Sequence, residues 1–562
     1  MESRSMEQEL DVLKKSPLST FEVYPKRIVW TSDLGVSNSQ SLLDDKPGQA
    51  ILMGVTTPTS IGPGGSILID FGREISGWVE IVTPVMPEKD RLRKARIRLG
   101  ESVSEAMSEI GEASNASNDC AIRDQVVELA WLGKTMVGPG GFRFMRIDNL
   151  EADLSVELDE VRAMLQIRDI PYLGSFRSSD ERLNEIWLTG ARTVHLNMQD
   201  YLWDGIKRDR LVWLGDMHPE VRTILAVFGV NEVVTDSLDL IRHQTPVETW
   251  MNSISSYSLW WIIIHSELWL QTGDQEYLAE QETYMTELLY RLLKYIGEDG
   301  RESLDGVRFV DWPTYGQKDA VHEGLQALMV MTMQSGGLLM SELGNSALSE
   351  KCREAAKRLM EAPLIHSGRK APAALAALAG IKDAGEIAES ILKVDGPSDL
   401  STFYGYYVLD ALAEADDIET GIDFISQYWG GMFDLGATTF WENFDLSWLD
   451  NAARIDELVP EGKVDVHATY GEHSYKGLRN SLCHGWASGP TAWLSEFVLG
   501  ISPASPGFET VYIEPRLATL EWVEGTYPTP RGVIHVSHRR SADGSVSSDV
   551  DLPAGIKVVR RP

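Results

Sequence analysis

Apolar and polar residues follow three successive patterns along the chain. From about Ile51 to Ile167, short apolar-polar alternations are separated by Gly, Pro and Asp, as in SILIDFGREISGWVEIV and GFRFMRIDNL. An alternation with a period of two residues predicts antiparallel strands that pack as a sandwich. The residues before Ile51 show a less regular pattern and are harder to assign.

From Ser179 to about Gly500 the apolar residues recur at helical spacing. One stretch, SSDERLNEIWLTGARTVHLN, opens on a Ser/Asp cap, and HPEVRTILAVFGVNEVVTDSLDLIRH is a second long candidate. About eleven or twelve such stretches favour a toroid of paired helices over a simple bundle. The most apolar run, LWWIIIHSELWL, is too short to span a bilayer and contains His265, Ser266 and Glu267, so it predicts a buried helix.

Alternation returns from about Ser502, in FETVYIEPRL and in PRGVIHVSHRR, and predicts a small closing β-domain. We therefore divide the chain into an N-terminal β-domain (residues 1–172), a helical domain (residues 173–500) and a C-terminal β-domain (residues 501–562). Helical toroids flanked by β-domains are common scaffolds of carbohydrate-processing proteins, which is an analogy at the level of the fold.

Charge and cysteine content narrow the classes of partner. The formal net charge of −33 and the pI near 4.7 disfavour binding to nucleic acid or to anionic membranes. Cys120, Cys352 and Cys483 lie far apart, without a CxxC pair or a Cys/His cluster, so we expect free thiols and no metal or other cofactor. The N-terminus lacks an apolar core of signal-peptide length, which predicts a cytoplasmic protein unless a signal has already been removed.

Three segments of the helical region place acids beside aromatic residues. DGIKRDRLVWLGD contains Asp204, Asp209 and Asp216; FVDWPTYG and LGATTFWENFD follow it along the chain. Cleavage of a glycosidic bond requires one carboxylic acid to protonate the leaving oxygen and one carboxylate to activate water or attack carbon. Tryptophan beside an acid suits the apolar faces and polar edges of sugars. Taken singly, each segment is more typical of a helix cap, a surface loop or a core residue.

Together these segments resemble the α-L-rhamnosidases of glycoside hydrolase family 78. Asp204 falls on the first Asp of the family's acidic segment, Asp209 on its Glu, Arg210 on the following Arg, and Asp216 on the last Asp. LGATTFWENFD is similar to the family's G-A-T-T-x-W-E, which places Glu442 on the general base. FVDWPTYG, SLCHGWASGP and IDFGREISGWVEI resemble three further family segments.

The resemblance implies an (α/α)6-barrel catalytic domain between N-terminal and C-terminal antiparallel β-sandwich domains. It also implies an inverting hydrolase that releases terminal α-L-rhamnosyl or related residues without a metal, with Asp209 as general acid and Glu442 as general base. Carbohydrate is the expected substrate, and a homodimer is possible. The expected substrate-binding residues are Asp204, Asp216, Trp213, Trp250, Asp311, Trp312, Trp441 and His484.

The acidic segment departs from the family pattern at several positions. Gly205, Ile206 and Lys207 stand where the family has Cys, Pro and Gln, and Asp209 replaces the general-acid Glu. The shorter side chain retreats from the substrate, and a misplacement of about 1 Å can cost on the order of a hundredfold in rate. An alignment to the family segment shifted by one residue would place Arg210 at the position of the general acid. That alignment breaks the spacing to Trp213, Gly215 and Asp216, so we prefer the first alignment.

Three alternatives follow from these departures. The first alternative is a hydrolase that acts on a different sugar. The second is a non-catalytic sugar-binding protein on a degenerate rhamnosidase scaffold. The third alternative is phosphorolysis, which requires an anion site, and Lys207, Arg208 and Arg210 supply cations for one.

Overall fold

A computed structural model describes residues 15–52, 57–86, 91–467 and 477–561. A β-rich N-terminal part precedes a helical region, and a second β-rich part closes the chain, in the predicted order. The strands of the N-terminal part are β1 (Leu18–Val23), β2 (Arg27–Thr31), β3 (Val36–Ser37), β4 (Thr59–Ile61), β5 (Ser66–Thr83), β6 (Arg93–Gly100), β7 (Asp124–Leu129), β8 (Gly133–Asn149), β9 (Val156–Leu158) and β10 (Glu160–Arg168).

Two antiparallel sheets form this N-terminal part. The larger has the order β1-β10-β5-β8-β6-β7, with β2 also paired to β5, and the smaller has the order β3-β4-β9. Ile67, Ile69 and Phe71 alternate along β5 and share one buried cluster with Val156 and Leu158 of β9. Strands β1 to β3 lie before Ile51, where the sequence pattern was hard to assign.

The helical region begins at a capped helix, as predicted. The carboxylate of Asp180 accepts hydrogen bonds from the amides of Arg182 (2.9 Å) and Leu183 (3.4 Å). The helices are α1 (Val103–Met107, in the N-terminal part), α2 (Glu181–Asn197), α3 (Met217–Val227), α4 (Glu232–Gln244), α5 (Ser255–Thr272), α6 (Gln275–Leu292), α7 (Lys318–Glu342), α8 (Ser346–Glu361), α9 (Lys370–Leu378), α10 (Ala384–Ile387), α11 (Gly405–Glu414), α12 (Ile418–Phe424), α13 (Gly430–Asp434) and α14 (Gly489–Trp493).

One predicted helical stretch is two helices in the structure. α3 ends at Val227, and Gly229 follows it with a φ of 77°, a conformation that favours glycine. The side chain of Asn231 then accepts a hydrogen bond from the amide of Val233 (3.0 Å) and caps α4.

The most apolar run forms the buried helix α5, which confirms that prediction. Leu259, Trp260, Trp261 and Ile262 are buried in the main core of the helical region. Within the described ranges, no helix is long and apolar enough to cross a membrane.

A strand just before the helices, β11 (Ser175–Ser178), pairs with the C-terminal part of the chain. That part contains β12 (Ile501–Pro503), β13 (Thr510–Ile513), β14 (Trp522–Thr529), β15 (Gly532–Arg540), β16 (Val546–Asp551) and β17 (Lys557–Val559). β11, β14, β15 and β16 form a four-stranded antiparallel sheet, and β13 pairs with β17 in parallel, unlike the other pairs. The start of the helical region is thereby joined to the C-terminal part.

Candidate active site

All three predicted acid-aromatic segments and the His484 segment converge on one cavity of about 720 Å³, a volume ordinary for a small-molecule site. The third predicted segment, FVDWPTYG, contributes Trp312 and Tyr315. The cavity is lined by Asp204, Arg208, Asp209, Trp213, Asp216, Ile254, Tyr257, Val307, Phe309, Trp312, Tyr315, Glu442, His484 and Trp486.

The acidic segment is an irregular loop between α2 and α3 that is fixed by hydrogen bonds. The backbone carbonyl of Asp204 accepts from the amide of Gly485 (2.8 Å), and its carboxylate accepts from the amide of Leu211 (3.1 Å). Gly141 of β8 packs against this loop, since a Cβ there would lie 2.7 Å from the backbone of Ile206. The N-terminal part therefore supports the loop directly.

One arginine contacts both predicted catalytic carboxylates. Arg208 is buried; its Nη1 lies 3.1 Å from Oδ2 of Asp209, and its Nη2 donates a hydrogen bond to Oε1 of Glu442. The two contacting carboxylate oxygens are therefore no more than about 8 Å apart, the span of one guanidinium group and two hydrogen bonds. Burial would lower the pKa of Arg208, but Glu442 and Asp209 raise it above its ordinary value.

The backbone at the predicted acid adopts an uncommon conformation. Asp209 and Arg210 have φ values of 53° and 55°, in the left-handed region that side chains rarely occupy. Aspartate tolerates this region better than most residues, and such conformations cluster at functional sites. The guanidinium of Arg210 lies over the Trp203 ring at 4.4 Å and holds the turn.

Glu442 is held rigidly by neighbouring backbone groups. Its amide donates to the carbonyl of Ser481 (2.9 Å), and the amide of Ser481 donates to its Oε2 (3.1 Å). The hydroxyl of Thr402 (2.6 Å) and the indole of Trp486 (3.1 Å) both donate to its backbone carbonyl. The base candidate is thus fixed at backbone and side chain.

Two further carboxyl groups are buried at the cavity wall. Burial, and then the charge of Asp216, raises the pKa of Asp204 well above its usual range. Burial raises the pKa of Asp216 to about 8, although the Tyr257 hydroxyl donates a hydrogen bond to it (2.8 Å) and lowers the value. Gly215 allows this contact, because a Cβ there would meet the Tyr257 ring at 2.1 Å.

His484 lies beside Asp204 at the same wall. Its Nε2 is 3.8 Å from Oδ2 of Asp204, and its ring centroid is 4.1 Å from that of Trp486. Burial, and then the charge of Arg208, lowers the pKa of His484 well below its ordinary value. The imidazole is therefore neutral at neutral pH and suits hydrogen bonding rather than charge.

Aromatic rings form the apolar part of the cavity lining. Trp213 contacts Tyr257 edge to face with centroids 6.2 Å apart, and Trp312 contacts Phe309 in the same way at 5.1 Å. Such rings match the apolar faces of a sugar, while the acids match its hydroxyl groups.

Three predicted substrate-binding residues do not line the cavity: Trp441, Trp250 and Asp311. Trp441 is fully buried. Its neighbours Phe440 and Glu442 pair with residues 481–484 as adjacent strands do, and successive side chains of an extended segment point to opposite sides. Because Glu442 faces the cavity, Trp441 faces the core. Trp250 donates to Asp305 (2.7 Å) and is covered by the guanidinium of Arg291.

Asp311 supports the cavity loop instead of lining it. Its carboxylate accepts from the Ser401 hydroxyl (2.6 Å) and from the amide of Trp312 (2.9 Å), and burial raises its pKa to about 7. It thereby fixes the turn that carries Trp312 and Tyr315.

The three cations of the acidic segment do not form one anion pocket. Only Arg208 lines the cavity; Arg210 covers Trp203, and Lys207 lies outside the cavity against the N-terminal part. This arrangement removes the basis of the phosphorolysis alternative.

Lys207 connects the N-terminal part to the segment that holds Glu442. Its ammonium lies 3.1 Å from Glu101 and 3.4 Å from Glu105, and it donates to the carbonyls of Leu478 (2.9 Å) and Asn480 (2.6 Å). Burial raises the pKa of Glu101 to about 7, against the lowering effect of Lys207. We call Lys207, Glu101 and Glu105 the interdomain cluster.

Sequence reasoning did not identify several residues that build the site. Tyr257 lies beside the apolar run that predicted only a core helix, and no local signal separates it from core residues. Trp486 lies two residues after His484 in a segment that was already recognised, so the aromatic residue there was a usable signal. Among the described residues, no group of three or more His, Cys, Asp or Glu side chains is arranged to hold a metal ion.

Comparison with known proteins finds similarity of this chain to α-L-rhamnosidases. Residues 171–362 match the bacterial alpha-L-rhamnosidase 6 hairpin glycosidase domain, and residues 500–559 match the bacterial alpha-L-rhamnosidase C-terminal domain. The resemblance to the α-L-rhamnosidases is confirmed. An alpha-L-rhamnosidase of Alteromonas sp. (strain LOR) is 24% identical over 88% of this chain and 56% of its own length.

Solved structures of α-L-rhamnosidases have the same fold. The family 78 rhamnosidase of Bacillus sp. GL1 superposes with a TM-score of 0.74 at 20% identity, over 92% of this chain and 55% of that chain. A rhamnosidase from Klebsiella oxytoca with rhamnose bound gives a TM-score of 0.68 at 18% identity, over 86% of this chain and 96% of that chain. The chain spans little more than half the length of the Alteromonas and Bacillus relatives.

Proposed function

We propose that this protein is an α-L-rhamnosidase that removes terminal α-L-rhamnosyl residues from glycosides or oligosaccharides by inversion. The observation that carries the proposal is that Asp209 and Glu442 line one cavity together with aromatic rings and contact two nitrogens of a single guanidinium group. The family matches and the rhamnosidase folds support it. We further infer an (α/α)6 arrangement of the helices, with a β-sandwich at each end of the chain.

In this proposal Asp209 protonates the leaving oxygen while Glu442 activates a water molecule on the opposite face of the sugar. Inverting enzymes separate the two carboxyl groups by about 6.5 to 9.5 Å to leave room for that water. A limit of about 8 Å, set by Arg208, is compatible with this range. Asp209 lines the cavity from a left-handed turn, and in this proposal that turn makes up for the shorter side chain.

The remaining side chains bind the sugar. Asp204 and Asp216 exchange hydrogen bonds with its hydroxyl groups, because a protonated carboxyl group both donates and accepts. His484 adds a neutral polar contact, and Trp213 and Trp312 cover the apolar ring face. These roles favour a rhamnosyl unit enclosed on several sides.

The test is hydrolysis of an aryl α-L-rhamnoside beside a panel of other aryl glycosides, with Asp209→Asn and Glu442→Gln. We expect turnover of the rhamnoside and a loss of about 10²- to 10⁴-fold in kcat/KM in each variant. α-L-Rhamnosyl fluoride separates the two roles, since fluoride leaves without a proton and its hydrolysis is largely spared in Asp209→Asn but lost in Glu442→Gln.

Binding without turnover is the alternative result. Rhamnose binding by calorimetry, with no hydrolysis of any substrate including the fluoride, would show a sugar-binding protein on this scaffold. Turnover of another glycoside alone would assign a different sugar specificity.

A further inference from the structure

A second cavity of about 1740 Å³ opens beside the candidate active site and shares two lining residues with it, Val307 and Tyr315. Its volume is more than twice that of the active-site cavity. The two cavities are therefore neighbours, separated by no more than this pair of side chains along their common border.

We propose that this second cavity, which we call the leaving-group groove, binds the sugar chain from which the terminal residue is removed. The inference rests on the proposed function and adds the substrate class: an oligosaccharide of at least two sugar units beyond the rhamnosyl residue. A single small leaving group would leave most of the groove unused.

Tyr315 forms a platform at the junction of the two cavities. It is 57% exposed and Val307 is 45% exposed, and the carbonyl of Val307 accepts a hydrogen bond from the amide of Ser255 (3.0 Å). The Tyr315 ring contacts Trp312 at 5.7 Å and Phe309 at 6.3 Å, and its amide donates to the carbonyl of Trp312 (3.0 Å). An exposed ring that its neighbours hold in place is suited to stack on the sugar next to the cleaved bond.

Polar groups line the wall beyond this platform. Arg308 donates to the fully buried carboxylate of Glu302, and Nδ1 of His322 lies 2.6 Å from the same oxygen. Glu302 is itself fixed by the amide of Leu304 (3.0 Å). One buried acid therefore orients Arg308 and His322, which both line the groove and remain partly exposed.

The balance of these side chains favours a sugar chain over a planar aromatic leaving group. Arg301, Lys318 and Asp319 extend the charged and polar lining, and Val307, Val321 and Ile365 supply apolar surface beside it. Sugars need one apolar face and many hydrogen-bonding partners, and a flat aromatic ring needs an apolar slot. Binding energy from such remote contacts accelerates the reaction at the cleaved bond.

The test compares rhamnose-terminated disaccharides, trisaccharides and tetrasaccharides with α-L-rhamnosyl fluoride, in the wild type and in Tyr315→Ala. Tyr290→Ala is the matched control, because Tyr290 is also an exposed tyrosine but lies on α6 and not in the groove. We expect kcat/KM to rise about tenfold from disaccharide to trisaccharide. Tyr315→Ala should lower it for both substrates, because the ring also borders the active-site cavity, but about tenfold more for the trisaccharide than for the fluoride.

Three results overturn the inference while leaving the proposed function in place. One is fluoride and disaccharide turnover with no gain from longer chains; another is an equal loss on the fluoride and the trisaccharide in Tyr315→Ala. Preference for a flavonoid rhamnoside over every oligosaccharide would also overturn it. Failure of the proposed function is distinct, since no substrate, the fluoride included, would then be hydrolysed.

Discussion

Substitution of Lys207 by methionine tests the interdomain cluster. The change removes the cation that lies 3.1 Å from Glu101 and that holds the carbonyls of Leu478 and Asn480. Methionine preserves much of the apolar length of the side chain, so the main loss is charge and hydrogen bonding. Because Glu101 is fully buried, it would be left as a buried acid without its cation.

The expected loss of unfolding free energy in Lys207→Met follows from the burial of Glu101 and from its pKa. Removing one partner of a buried ion pair costs about 3–5 kcal/mol of unfolding free energy. Burial already raises the pKa of Glu101 from 4.5 to about 7, which amounts to ~3 kcal/mol at higher pH. A carboxyl group whose pKa is raised by folding contributes fully to the free energy of unfolding at a pH below its pKa in the unfolded chain. This contribution is lost as the pH rises through its pKa in the folded protein. Loss of Lys207 moves that folded value further upward.

We therefore expect Lys207→Met to be destabilised by about 3–5 kcal/mol at pH 8 and by clearly less at pH 5, where the loss of the two carbonyl hydrogen bonds remains. Urea unfolding of the variant and wild type across this range measures the difference. Lys94→Met is the control: its partner Glu128 lies 3.9 Å away and both are exposed, so the cost is below about 1 kcal/mol at every pH.

A double variant, Lys207→Met with Glu101→Gln, separates charge from packing. The introduced amide side chain retains an acceptor for the backbone amide of Leu482, which donates to Glu101 in the wild type (2.6 Å), so much of the lost stability at pH 8 should return. Lys207→Met should also lower kcat, because the segment it holds supplies the Ser481 amide to Glu442. An equal destabilisation at pH 5 and pH 8, unrelieved in the double variant, would refute this reasoning.

Two further predictions concern Asp216 and its support. Burial raises the pKa of Asp216 to about 8, so the contribution of this carboxyl group to the free energy of unfolding falls between about pH 4 and pH 8. Asp216→Asn should therefore reduce the dependence of the unfolding free energy on pH in this range by ~1.4 kcal/mol per pH unit. The same dependence in wild type and variant, measured by urea unfolding at several pH values, would contradict this. Gly215→Ala should cost about 1–3 kcal/mol and weaken rhamnose binding by calorimetry, since the new Cβ would meet the Tyr257 ring at 2.1 Å. Gly337→Ala is the control, because Gly337 lies inside α7 and the nearest atom to a Cβ there is 3.4 Å away, an ordinary contact. This variant should be neutral or stabilising. Equal effects of the two substitutions would count against the role of Gly215.

The sequence was most informative where local pattern determines structure. Asp180 caps α2 because its own side chain reaches the next amides, and the α5 run is apolar on all sides and therefore buried. Asp204, Asp209 and Asp216 lie on one short loop, so their proximity follows largely from their spacing.

The rest of the site depends on contacts between distant segments. Trp441 and Glu442 are neighbours in sequence, yet only pairing with residues 481–484 determines which of them faces the cavity. Arg208 gains its role from Glu442, 234 positions away. The partnership of Lys207 with Glu101 joins two parts of the fold that no local periodicity relates.

The central claim is that Asp209 and Glu442 act as acid and base on opposite faces of a terminal α-L-rhamnosyl residue. The most direct measurement is proton NMR of the first sugar released from an aryl α-L-rhamnoside, followed before the anomers equilibrate. We predict that β-L-rhamnose appears first, and that its release is lost in Glu442→Gln and strongly reduced in Asp209→Asn. First appearance of the α-anomer, or unchanged release in either variant, would contradict the account.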